Sequence, residues 1–123
     1  SVTEAVRKDL TEFIRECIMI IDREKENGTL TDMAGKGIVE LLDMTCGYLL
    51  KNEPDLKREV RGIMRPIVML QSEREEYAIN RSIGKYGSFE LGREEVKESI
   101  QDIFSLDEAE AEEKMEKYWK QED

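Results

Sequence analysis

The chain is predicted to be all-α, a bundle of five to six helices, on three observations. Apolar residues recur at three- and four-residue steps through most of its 123 residues. Helix-breaking residues are few, with eight Gly and two Pro, and they cluster at a handful of places. Glu, Lys and Arg dominate a charged fraction of 39%, a composition that favours helices. The length suits one domain over residues 1–123, and a domain of that size buries roughly two-thirds of the surface its unfolded chain exposes.

Thr3 is placed to cap a first helix that ends at Asn27-Gly28, with Val6, Leu10, Phe13, Ile14, Cys17 and Ile21 along one face. Cys17 to Ile21 is a continuous apolar run, which at 100° per residue covers the whole circumference. That end of the helix is therefore expected either at the centre of the bundle or in an oligomer interface. Thr31 caps a second helix in which Ile38, Leu41, Leu42, Thr45, Tyr48 and Leu49 are expected to face inward. Gly35, Gly37 and Gly47 each cost that helix up to about 1 kcal/mol relative to Ala, which implies a late start or the close approach of another backbone.

Asn52-Glu53-Pro54 ends the second helix, and Pro54 opens a third carrying Leu56, Val60, Ile63 and Met64. Pro66 lacks a backbone donor and crowds the preceding turn, so the helix is expected to be kinked or broken there, with the pattern resuming through Tyr77 and Ile79. Residues 83–92, with three Gly and two aromatics, read as a Gly-rich loop. Val96, Ile100, Ile103 and Phe104 mark a further helix, and Ser105 with Glu108 forms a capping box for the last. The last helix carries only a narrow stripe of Ala111, Met115, Tyr118 and Trp119.

Charge is unevenly distributed. Thirteen acidic and five basic side chains lie between Ser88 and Asp123, so this acidic helical segment, at about 93–121, carries most of the net charge of −10. Such a surface favours a basic protein partner, including one that handles nucleic acid. Met115, Tyr118 and Trp119 are the expected partner anchors. Lys57, Arg61 and Arg65, spaced by four, form a basic strip able to meet carboxylates of this segment in the same chain or a neighbouring one. Two cysteines, Cys17 and Cys46, each in an apolar helical stretch, suggest buried thiols in a reducing, cytoplasmic setting. No secretory leader or apolar run long enough to span a bilayer is visible, so no membrane partner is expected.

The chain has no histidine, which removes the commonest acid-base group and metal ligand together with every Ser-His and Cys-His arrangement. Glu94, Glu95 and Glu98 spell EExxE on a helix, a spacing that sets carboxylates on one face for Mg²⁺ between phosphates. The motif resembles the first half of the site in all-helical nucleotide pyrophosphohydrolases of the MazG type, and the resemblance implies Mg²⁺-dependent release of pyrophosphate. The second half, ExxD on a following helix, is not found after residue 98; Glu40 and Asp43 supply that spacing earlier in the chain.

Gly84-Lys85-Tyr86-Gly87 resembles the GxxG loop of KH domains, where glycine backbones approach nucleotides and a basic side chain meets phosphate. The resemblance implies single-stranded nucleic-acid binding. Tyr86 stands where a Walker A loop needs Ser or Thr on Mg²⁺, which removes that reading. The function expected from the sequence is a non-enzymatic, acidic helical interaction or regulatory module. It is expected to form a homodimer, to need no cofactor and to bind no nucleic acid directly, with the pyrophosphohydrolase and the GKYG nucleic-acid binder as alternatives.

Overall fold

The computed structural model describes residues 4–71 and 74–120, with the side chains of 4–7, 10, 11, 32, 70 and 71 outside that description. It is a bundle of six helices with no strand among the described residues. They are α1 (Glu4–Glu26), α2 (Asp32–Asn52), α3 (Lys57–Gln71), α4 (Glu75–Ser88), α5 (Arg93–Phe104) and α6 (Glu108–Tyr118), with one 3₁₀ turn at Pro54–Leu56 leading into α3. The expected cap at Thr3 and the side chains of Val6 and Leu10 lie outside the described residues.

The helix stops follow local chemistry. Gly28 takes φ 73°, a left-handed turn that lets Thr29 N–H reach back to the carbonyl of Glu24 and close α1. Thr31 caps α2 by accepting from Ala34 N–H at 3.2 Å. Two expected boundaries move. Ser105 is not a cap for α6; at φ 55° it ends α5 in the left-handed conformation, with Leu106 N–H bonded to the carbonyl of Gln101. The capping box belongs instead to Asp107 and Glu110, which exchange side-chain to backbone bonds at 2.8 and 3.1 Å.

Pro66 does not break α3, which runs unbroken from Lys57 to Gln71. Proline inside a helix costs about 3 kcal/mol. Ile63, Met64, Ile67 and Val68 around it are all buried, and each full burial returns about 1.5–3 kcal/mol. Gly62, whose carbonyl loses its helical partner, is exposed to water. α3 ends at Gln71 and α4 begins at Glu75. The Gly-rich loop is likewise shorter than 83–92: α4 continues through Gly84 and Gly87 to Ser88, and the chain leaves the helix only over 89–92. Ile83 and Tyr86 are fully buried, and that burial carries the helix across its glycines.

The central helix is α3, which packs against α1, α2, α4 and α5. Cys17 to Ile21, expected at the centre of the bundle or in an oligomer interface, does not put α1 at the centre. Ile21 is buried and Cys17 and Ile18 are half-buried, but Met19 is 70% exposed and Ile20 lies largely open. Both cysteines are free thiols, and burial, followed by the charge of Asp43, pushes the Cys46 thiol up to about 12.

Candidate interaction surfaces

The basic strip of α3 is occupied by α5. Lys57 Nζ lies 3.0 Å from Glu95, and Arg61 reaches Glu95 at 2.9 Å, Asp102 at 3.2 Å and Glu98 at 3.6 Å while donating through Nε to Ser99. Arg65 donates to the carbonyl of Ile103 and pairs with Glu75 at 3.7 Å. Two helices packed side by side present i, i+4 cations on one to i, i+3 and i+7 anions on the other, so the strip and the acidic segment meet within one chain. Of the three cations Arg61 is the most enclosed, with 12% of its side chain exposed.

The same pairing settles where the EExxE carboxylates lie. Glu95 and Glu98 share Arg61, while Glu94 is 75% exposed beside Arg93. Glu40 and Asp43 sit on α2 and face α4, where Lys85 Nζ lies 2.7 Å from Glu40 and 3.0 Å from Asp43. Among the described residues no group of three or more His, Cys, Asp or Glu is placed to hold a metal ion. Gly84 to Gly87 is helix rather than loop, so its amides serve the α4 ladder and its Lys85 serves Glu40 and Asp43. This corrects the expected resemblance to a GxxG loop. Tyr86 is buried, with its hydroxyl 3.5 Å from Asp43, and its own ionisation is pushed well above the ordinary range by burial and then by Asp43.

The aromatic stripe of α6 lies mostly against the chain itself. Met115 is fully buried, and Tyr118 and Trp119 are half-buried against the core. The Tyr118 hydroxyl donates to Glu76, and Lys114 Nζ lies 2.7 Å from the same carboxylate. These bonds, Lys114 first and Tyr118 second, hold the Glu76 carboxyl down at about 2. On the other side of α6, Glu112 is held at about 2 by Arg93 and then Lys97, at 2.5 and 3.0 Å. A cleft of about 330 Å³ separates Tyr118 and Trp119 from Ile83, Gly84 and Gly87 of α4.

A carboxyl whose folded value lies below its unfolded one stabilises the fold above the unfolded value and loses that contribution as pH falls through the folded one. Docking of α6 is therefore expected to weaken between pH 4.5 and about 2. Trp119, the single tryptophan, reports it: its emission should shift to the red across that window, and emission unchanged down to pH 2 would show that Glu76 and Glu112 do not hold α6.

The surface that sequence reasoning missed is on α2. Its buried side is Val39, Asp43, Cys46, Leu49 and Leu50, with Leu42 half-buried. Of the residues expected inside, Ile38, Leu41, Thr45 and Tyr48 point outward, Leu41 at 65% and Tyr48 at 64% exposure, joined by Met33 and Met44. At 100° per residue Gly37, Leu41, Met44 and Tyr48 fall within about 40° of the direction opposite Cys46. From Gly37 to Tyr48 the only charge near this outer side is Glu40 at its edge, and that carboxylate is held by Arg81 and Lys85. The signal available in the sequence was Glu40 and Asp43, three apart, opposite Arg81 and Lys85, four apart, which fixes the flank that α2 turns to α4.

Comparison with family models, with curated proteins and with solved structures returned no match. No helix among the described residues is long and apolar enough to cross a membrane.

Proposed function

We propose that the chain is a non-enzymatic helical module for protein-protein interaction, with the outer face of α2 as its docking surface. One observation carries this reading: five large apolar side chains, Met33, Ile38, Leu41, Met44 and Tyr48, stand exposed on one helix of a chain that is 39% charged. Together they expose on the order of 600 Å² of apolar surface, the upper end of what a monomer ordinarily leaves open. Aromatic and long aliphatic side chains clustered on a helix face are the usual anchors of helix recognition.

The net charge of −10 acts at longer range. Much of the acidity of α5 and α6 is matched by Lys57 and Arg61 of α3 and by Arg93 and Lys97 of α5, and the excess draws basic proteins and repels acidic ones, changing the rate of approach more than affinity. Engagement of a basic, nucleic-acid-handling partner is thus a role for this charge rather than for Met115, which lies in the core. The cytoplasmic setting rests on two unjoined thiols.

A photo-cross-linking amino acid at position 41 tests the docking reading in the cells that make the protein. Adducts with protein are expected at 41 and not at 94, an exposed position on α5. No adduct at 41 overturns the reading.

A further inference from the structure

We infer that the occupant of the α2 face is α2 of a second copy, the two helices running antiparallel about a two-fold axis between Leu41 and Met44. This rests on the docking reading above and names the partner.

The outward ridge Gly37, Leu41, Met44 and Tyr48 advances by four, three and four residues, the spacing with which knobs of one helix enter holes of another. Antiparallel pairing about that axis sets Leu41 against Met44 of the partner subunit and Gly37 against Tyr48 of the partner subunit. Side chains of similar size meet at the centre, and the largest meets the smallest at each end. Gly37 leaves an open dimple, with nothing within 4 Å of where a Cβ would stand. Parallel pairing would stack Tyr48 on its own copy and leave Gly37 facing its own copy across a void, one layer overfilled and the other empty.

Charge selects the same occupant. At a two-fold interface each charge near the axis meets its like, so a self-docking face must be neutral there, and the centre of this one is. A basic partner would find no carboxylate on the ridge with which to pair. Over the rest of the surface two copies, each at −10, repel. The antiparallel arrangement lessens that repulsion. Lys51 binds Glu90 at 2.7 Å, and the ring of Phe89 covers Gly47, so the segment leading into acidic α5 lies by the C-terminal end of α2. Those ends point apart in an antiparallel pair. The exposed area, on the order of 600 Å² per copy, approaches the roughly 800 Å² per partner of a standard interface, which suits a dimer that dissociates in the micromolar range.

Light scattering on the purified chain at 100 µM should report twice the 14.3 kDa of one copy. Leu41→Glu should be largely monomeric at the same concentration, with the dimer dissociation constant raised on the order of 100-fold or more, and with helicity unchanged and melting unchanged at concentrations where both chains are monomers. A native chain of single mass, or a Leu41→Glu chain that stays dimeric, overturns the inference. Register is read separately on a Cys17→Ser background. Gly37→Cys mixed with Tyr48→Cys should oxidise to a covalent dimer, while neither does so alone, because eleven residues put like positions about 16 Å apart along the axis. Each variant cross-linking to itself overturns the antiparallel arrangement. A monomeric chain whose position 41 still captures a different protein overturns the second copy and leaves the docking reading standing.

Discussion

Lys85→Met is expected to lower the unfolding free energy by about 3 kcal/mol or more, because it takes away the ammonium 3.0 Å from a carboxylate that is 1% exposed. Methionine keeps most of the length and the apolar character of the lysine stem, so packing against α2 changes little and the loss is chiefly that of the charge. Asp43 needs that charge more than a surface acid would. Tyr86 sets its hydroxyl 3.5 Å from the same carboxylate, and Cys46, one helical turn on, is a buried thiol pushed up to about 12 by burial and then by that charge. For a domain of this size the loss should appear as a melting temperature lower by roughly 10–15 °C. Urea titration followed by circular dichroism measures it, and the double variant Asp43→Asn, Lys85→Met should recover most of the loss, since both members of the pair are then neutral. A single variant as stable as the native chain, or a double variant no better than the single, would show that α2 and α4 are not held through this pair.

That pair also explains how the sequence could indicate the helices and yet mislead about one face. Periodicity places α1, α2, α3 and α5 closely because long amphipathic stretches with clear stops leave little choice, as Thr31 and Gly28 illustrate. α2 is different because it is apolar around most of its circumference. A pattern search finds Ile38, Leu41, Thr45 and Tyr48 as readily as Val39, Cys46 and Leu50, and only tertiary structure decides between two such arcs. The deciding residues are Glu40 and Asp43, polar groups that would ordinarily mark the solvent side but here face Lys85.

Helix continues through Pro66 and through Gly84 to Gly87 for a related reason. Local propensity opposes helix at both, and burial of Ile63, Met64, Ile67, Ile83 and Tyr86 outweighs it. Tertiary contacts also place the residues of the alternative sites. Carboxylates that share a helix face share Arg61 too, and a lysine between two glycines is spent inside the bundle.

Arg61→Leu is expected to destabilise the fold by about 2–3 kcal/mol, less than the loss of a fully buried charge because two of its carboxylate partners are largely open to water. Without the guanidinium, Glu95, Glu98 and Asp102 project from α5 toward α3 with Lys57 as the cation facing Glu95. Their mutual repulsion grows as salt is withdrawn, so the deficit should be larger at 10 mM than at 500 mM salt, where screening acts over a few ångströms. Arg61→Lys should recover only part of the loss. An ammonium is a single point of charge, whereas the guanidinium reaches Glu95, Asp102 and the Ser99 hydroxyl through separate nitrogens. Chemical denaturation over that range of salt measures the deficit. A deficit that ignores salt would mean that Arg61 stabilises α3 against α5 through its aliphatic stem. A deficit that follows salt would mean that the basic strip holds the acidic half of this chain in place by charge, which leaves the neutral ridge of α2 for contact with another protein.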